Sequence, residues 1–232
     1  VQKESGSSQL YLLERSSGDE SEVSGEVFDL VSYDFAFGSD SLFYITEEIE
    51  DDRGVLRLYL SSDAEPIAEG PALAASFAPD GQHLAYLLED EEGESALYVH
   101  PMDGGGDVEV LEGDEIDYTI LETSPPRIIA LSEMEEEFTL YSADIAGGDV
   151  IELLDEEDVS LEIEYARGER LLYVQMTNED GEVSLFVTPV DEAAGSLLLE
   201  EWAAVRVLNL SPRGDRLILW AREDFGDDPV LY

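Results

Sequence analysis

The sequence predicts an all-β chain, a β-propeller of four-stranded antiparallel blades, five to six in number. Three observations carry that expectation. One stretch, residues 75–110, reads as a complete four-stranded meander. Its second-strand pattern recurs at Leu42, Leu84, Ile128, Leu171 and Leu217, with spacings of 42, 44, 43 and 46 residues. Its third-strand pattern recurs independently at Leu10, Leu58, Leu97, Leu140, Leu185 and Leu231. A unit of four short strands repeating every 40–45 or so residues is the signature of a propeller blade. A β-sandwich has similar strands and turns but no reason to hold a period.

The founding unit justifies itself locally. Ser76, Phe77 and Ala78 run into Pro79-Asp80-Gly81. There Pro presets φ, Asp accepts local backbone bonds and Gly supplies positive φ. His83 to Leu88 form a second apolar run, an acidic turn around Gly93 follows, and Ala96 to His100 form a third. Asp103-Gly104-Gly105-Gly106 turns the chain into Val108-Glu109-Val110-Leu111. One such meander leaves its faces uncovered, so it requires neighbours.

The run Phe77-Ala78-Pro79-Asp80-Gly81-Gln82-His83-Leu84-Ala85-Tyr86, followed by Leu97-Tyr98-Val99 and Asp103-Gly104-Gly105, resembles the repeat of TolB-type, WD-like bacterial propellers. Residues Leu210 to Leu217 repeat the pattern with Arg213 in place of the turn aspartate, and the other copies keep only the hydrophobic spacing. The resemblance implies the propeller architecture. It is nearly silent on activity, because such repeats serve periplasmic scaffolds, secreted binding proteins, sensor domains and peptidase gates.

In chain order, a half blade is expected over residues 9–31, with its fourth strand at 26–30 after a turn at 15–25. Whole blades are expected at about 32–71, 72–116, 117–159 and 160–204, and a partial blade at 205–232, all within a single propeller domain. The N-terminal strands are expected either to complete the last blade or to belong, with the rest, to a longer propeller; the six blades usual in TolB-like proteins favour the second.

Composition narrows function by exclusion. The 232 residues hold 57 Asp and Glu against 11 Lys and Arg, a formal charge of −46. Nucleic acid would be repelled, not bound through counterion release, and anionic membrane surfaces are disfavoured in the same way. No apolar run approaches the 18 or so residues of a membrane span. Without cysteine there is no thiolate metal site, thiol nucleophile or disulfide. Lys3 is the only lysine, and an acidic surface poor in lysine resembles proteins adapted to high salt, where screening relieves self-repulsion.

In a four-stranded blade the second-to-third turns and the inter-blade links share one end. Here that end collects carboxylates, and Glu89, Asp90, Glu91, Glu135, Glu136, Asp155 and Glu156 are the expected interaction face. Arg127, Arg167, Arg170, Arg213 and Arg216 fall at the other end. The acidic end suits a basic protein partner or Ca²⁺; Asn178, Asp180, Asp51 and Asp52 are the weak metal candidates, and Asn178-Glu179-Asp180-Gly181 is only a fragment of a calcium loop. No other cofactor is expected. His83 and His100, the two histidines, sit at strand ends, and HExxH, GxSxG and P-loop motifs are absent. Arg213-Gly214-Asp215 reads as turn chemistry, while Trp202 and Trp220 are expected to pack between blades. The expectation is therefore a non-enzymatic, extracytoplasmic scaffold or assembly subunit, with self-assembly a further option. The alternatives are the substrate-gating propeller of a prolyl-oligopeptidase-type hydrolase and a Ca²⁺- or glycan-binding module.

Overall fold

The computed structural model describes residues 10–13, 18–23, 29–50, 53–61, 65–90, 92–134, 137–166, 170–211, 216–223 and 230–231. The chain divides into two compact units, Val1–Glu112 and Gly113–Tyr232.

The first unit opens with a two-stranded sheet, β1 (Tyr11–Leu13) and β2 (Glu20–Glu22). Next comes the meander β3 (Asp29–Phe35), β4 (Leu42–Glu50), β5 (Arg53–Leu60) and β6 (Ala68–Gly70). A second meander follows: β7 (Ala72–Phe77), β8 (His83–Glu89), β9 (Ser95–Pro101) and β10 (Val108–Gly113). The second unit holds β11 (Glu115–Leu121), β12 (Arg127–Met134), β13 (Glu137–Asp144) and β14 (Ile151–Glu157) as one sheet. Its next sheet is β15 (Val159–Ala166), β16 (Leu171–Asn178), β17 (Val183–Pro189) and β18 (Ser196–Trp202). β19 (Ala204–Leu210), β20 (Leu217–Arg222) and β21 (Val230–Leu231) make a three-stranded last one.

Within each unit the core forms where consecutive sheets lie face on face. Phe43, Ile45, Leu58 and Leu60 of one sheet meet Leu84 and Tyr86 of the next. In the second unit Leu121, Ile129 and Leu140 pack on Leu172, Val174 and Met176, while Tyr173 and Leu185 pack on Val205, Leu219 and Ala221. The third-strand anchors Leu58, Leu97, Leu140 and Leu185 are each 0% exposed, so the repeat marks the centre of each hydrophobic layer.

Two strand assignments change. The fourth strand of the half blade is β2, inside the expected turn, whereas Asp29 and Leu30 open β3 against Glu47 and Thr46. Glu20-Ser21-Glu22 carries no apolar alternation, so its backbone pairing leaves no hydrophobic signal. The fourth strand of the next sheet sits at Ala68–Gly70 instead of Pro66 to Ala68, because Pro66 has no N–H to give a ladder. The links also shorten: Glu115 to Asp117 lie in β11 and Asp155 to Glu157 in β14. Single residues then join successive sheets: Pro71, Asp114, Asp158 (φ +56°) and Ala203.

The Pro79-Asp80-Gly81 turn forms as its chemistry dictates. Gly81 (φ +65°) donates its N–H to the Ala78 carbonyl at 2.9 Å. Asp80 Oδ1 accepts the Gln82 N–H at 2.8 Å, and its Oδ2 meets His83 Nδ1 at 2.9 Å. A Cβ on Gly81 would stand 2.5 Å from the Phe37 carbonyl oxygen. Gly81→Ala should therefore cost about 1–3 kcal/mol. Gly93→Ala, at φ +91° with open space around it, should cost less. Urea midpoints of the two variants check this; equal losses would mean that the close approach to Phe37 contributes nothing.

Candidate interaction surface

The acidic hairpin ends are built by two copies of one turn. Asp90 Oδ1 accepts the N–H groups of Glu92 and Glu94 at 2.8 and 3.0 Å, and Gly93 N–H reaches the Asp90 carbonyl. Asn178 Oδ1 accepts the Glu182 N–H at 2.9 Å, its Nδ2 donates to the Glu182 carboxylate, and Gly181 N–H reaches the Asn178 carbonyl. These side chains close their own turns. Asp180 is exposed beside this turn, and among the described residues no three metal-ligating side chains converge. Asp51, Asp52, Glu91, Glu135 and Glu136 lie outside the described residues, as do Arg167 and the Arg213-Gly214-Asp215 tripeptide. Glu89 and Asp90, with Glu69 and Glu92, line a cleft of about 640 Å³ in the first unit, floored by Gly54, Gly70 and Leu88.

In the β11–β14 sheet the strand ends bring carboxylates into register: Glu115 faces Glu133, Glu137 faces Glu157, and Asp155 and Glu156 face Thr139 and Phe138. Thr139 Oγ1 donates to Asp155 at 3.1 Å. Like charges directly opposed on a sheet destabilise it. The charge of Asp155, then a hydrogen bond with it, slight desolvation and the charges of Glu157 and Glu152 raise the Glu137 carboxyl above its ordinary range. A raised folded-state value means that the native protein holds this proton more tightly than the unfolded chain. Stability at this site therefore falls as pH rises from the ordinary glutamate range through the raised value, and returns on acidification. Glu137→Gln is expected to raise the neutral-pH melting temperature and to flatten the gain on mild acidification. A variant melting below wild type at neutral pH would contradict this.

The opposite end of the same sheet carries arginine. Arg127 is 5% exposed; its Nε donates to Ser142 Oγ at 2.8 Å and its Nη2 to the Asp149 carbonyl at 3.3 Å. Ser142 Oγ donates in turn to the Val190 carbonyl, just beyond β17, joining two sheets. Burial pulls the guanidinium below its ordinary value, Asp191, Asp144 and Asp149 oppose that, and Arg170 adds to it. Arg170 lies 3.6 Å from Asp191, and Arg216 is exposed beside β20.

Two clefts flank β15. Its alternation Leu161-Glu162-Ile163-Glu164-Tyr165 sends Leu161, Ile163 and Tyr165 toward the preceding sheet. There a cleft of about 600 Å³ is floored by Leu121, Ile129, Leu131 and Leu172, with Asp117 and Glu122 also lining it. Glu162 and Glu164 line the cleft on the other side with their cross-strand partners Gln175 and Tyr173, and Glu164 reaches both clefts. Val205, Arg206, Val207 and Trp220 complete that cleft, about 530 Å³.

No protein-family model matches the sequence, and no curated protein matches it. Solved structures do. The propeller domain of the Trilobed protease from Pyrococcus furiosus is similar over 88% of this chain and 67% of its own, at 13% identity and a TM-score of 0.53. The fold is a β-propeller. Oligopeptidase B from Leishmania major is similar over 84% of this chain and 30% of its own, at 18% identity and a TM-score of 0.54. TolB from Acinetobacter baumannii covers 96% of this chain and 56% of its own, at 15% identity and a TM-score of 0.46. The chain thus spans about two thirds of the first and smaller shares of the others, and these likenesses concern the fold.

Within this propeller both histidines are tied to aspartate. His83 pairs with Asp80 in the founding turn, and His100 Nδ1 lies 2.6 Å from Asp107, whose other oxygen accepts the Tyr86 hydroxyl at 2.6 Å. Burial, and then the bond to Asp107, push the Tyr86 hydroxyl far above its ordinary value, so it remains a donor. Of the strand aromatics whose pattern reads as core, Phe43, Tyr44, Tyr86 and Tyr173 are buried, whereas Tyr98, Tyr141 and Phe186 are only half-buried; Trp202 packs against the blade interior. Trp220 does not: paired with exposed Arg206, it is 37% exposed, because its strand turns Leu219 and Ala221 inward. The clefts beside β15 were not anticipated, although the Leu-Glu-Ile-Glu-Tyr alternation that makes them is plain in the sequence. No helix among the described residues is long and apolar enough to cross a membrane.

Proposed function

We propose that this chain is a non-enzymatic propeller acting outside the cytoplasm as a scaffold or assembly subunit, its acidic blade ends docking a basic protein. The observation that supports the reading is the pair of opposed carboxylates at this strand end, Glu115 against Glu133 on one face of the sheet and Glu137 against Glu157, with Asp155 nearby, on the other. Such pairs cost stability in the isolated chain, and a cationic partner would relieve them while gaining association rate from the field. Titration calorimetry with a lysine-rich protein tests this. Charge reversal by Glu133→Lys, Glu137→Lys and Glu157→Lys together is expected to weaken binding by about tenfold or more; unchanged affinity would overturn the reading.

A second reading takes the chain as the gating propeller of a prolyl-oligopeptidase-type hydrolase. It draws on the matched peptidases, one of which is spanned over only 30% of its length. A Ser-Asp-His hydrolase domain adjoining this segment in the full-length protein would decide for it.

A further inference from the structure

We propose that the free edge of β15 receives an extended segment of the basic partner as an additional strand, with apolar and basic residues alternating along that segment. This rests on the basic-partner reading and names what is bound and where.

β15 ends its sheet, pairing with β16 alone among the described strands. Glu162, Ile163 and Glu164 are exposed in succession, so both faces are open at this edge. A strand laid along it would run about 4.8 Å away and send successive side chains to opposite faces. The two faces differ in chemistry with the same period. One side offers the cleft floored by Leu121, Ile129 and Leu131 beside Ile163, with Asp117 and Glu122 also lining it. The other offers two carboxylates, Glu162 and Glu164, against one arginine, Arg206, across from Val205 and Val207; there a lysine stem packs on valine while its ammonium meets the carboxylate excess. Gln175 Nε2 holds one oxygen of Glu162 at 3.1 Å, fixing its position.

Main-chain hydrogen bonds would supply affinity and the two clefts specificity, the usual division in strand addition. The same glutamates would keep the edge from recruiting strands indiscriminately. Charges on a sheet edge suppress pairing with neutral or acidic segments, and here they leave it open to cationic ones.

The test uses the whole chain and two synthetic peptides as long as β15, eight residues. One alternates lysine and valine; the other has the same composition in two blocks. Affinities are measured by fluorescence anisotropy at salt high enough to screen long-range attraction. The alternating peptide is expected to bind about tenfold or more tightly than the block peptide. N-methylation of alternate residues on one edge should abolish the difference while the other methylated isomer retains it. Glu162→Lys with Glu164→Lys should remove binding of the alternating peptide; should that variant fold poorly, the peptide comparison on the native chain decides alone. Equal binding of the two peptides would overturn the edge site and leave a general basic-docking surface. Binding of neither would overturn both readings.

Discussion

Replacing Arg127 by alanine is expected to destabilise the second unit by about 3 kcal/mol, a value typical of breaking a buried charged contact and discounted for the partial exposure of its aspartates. The guanidinium satisfies Ser142 Oγ and the Asp149 carbonyl, and Ser142 passes a hydrogen bond on to Val190 in the neighbouring blade. Removing it leaves a buried hydroxyl without its donor and takes the central cation from among Asp144, Asp149 and Asp191. Ser142→Ala should cost less, about 1–3 kcal/mol, for the unpaired Val190 carbonyl. The double variant should lose less than the sum, because the two side chains act in one chain of bonds. Urea denaturation of the three variants measures this; an Arg127→Ala midpoint equal to wild type would show that the guanidinium merely fills space. Arg127 lies two residues from Ile129, which floors the cleft beside β15. A loosened junction should therefore also weaken peptide binding at β15.

What could be read from the residues divides along physical lines. The hydrophobic layer was legible because one leucine per blade must occupy the same buried place: Leu58, Leu97, Leu140 and Leu185 recur and are all fully enclosed. The Pro79-Asp80-Gly81 turn was legible because each residue restricts the backbone in its own way. Strand ends were not. Glu20 to Glu22, Glu115 to Asp117 and Asp155 to Glu157 are joined to their neighbours by backbone bonds that any side chain permits, so acidic stretches that read as turns and links continue the ladders. Arg127 gave no signal either, since an arginine beside a turn ordinarily faces water. Its burial depends on Ser142 and Val190 from remote segments. The acidic character of the hairpin ends could be read directly. The commitment of Asp90 and Asn178 to their own turns became visible only with the geometry. At β15 the alternation was in plain view, but whether an edge is covered depends on the neighbouring sheet.

The second large effect concerns salt. With a formal charge of −46, the folded chain holds its carboxylates closer together than the unfolded one does, and the field opposes compaction. Raising NaCl from about 0.01 M to 1 M shortens the screening length from about 30 Å to about 3 Å. Relief of several kcal/mol would raise the melting temperature by on the order of 10 °C for a chain of this size. The rise should follow ionic strength and be the same for NaCl and KCl. A melting temperature flat across that range would refute salt adaptation and show that the surface carboxylates are spaced widely enough to ignore one another. The buried Arg127 contact supplies an internal control, because its loss should cost nearly the same at both salts. CaCl₂ separates screening from coordination. At matched ionic strength, any excess stabilisation by Ca²⁺ must come from specific ligation, and substitution of Asp51 and Asp52, or of Asn178 and Asp180, would locate it. Without an excess, the carboxylates act as a diffuse field, the state in which a basic partner recognises them by charge and the β15 edge must supply the selectivity.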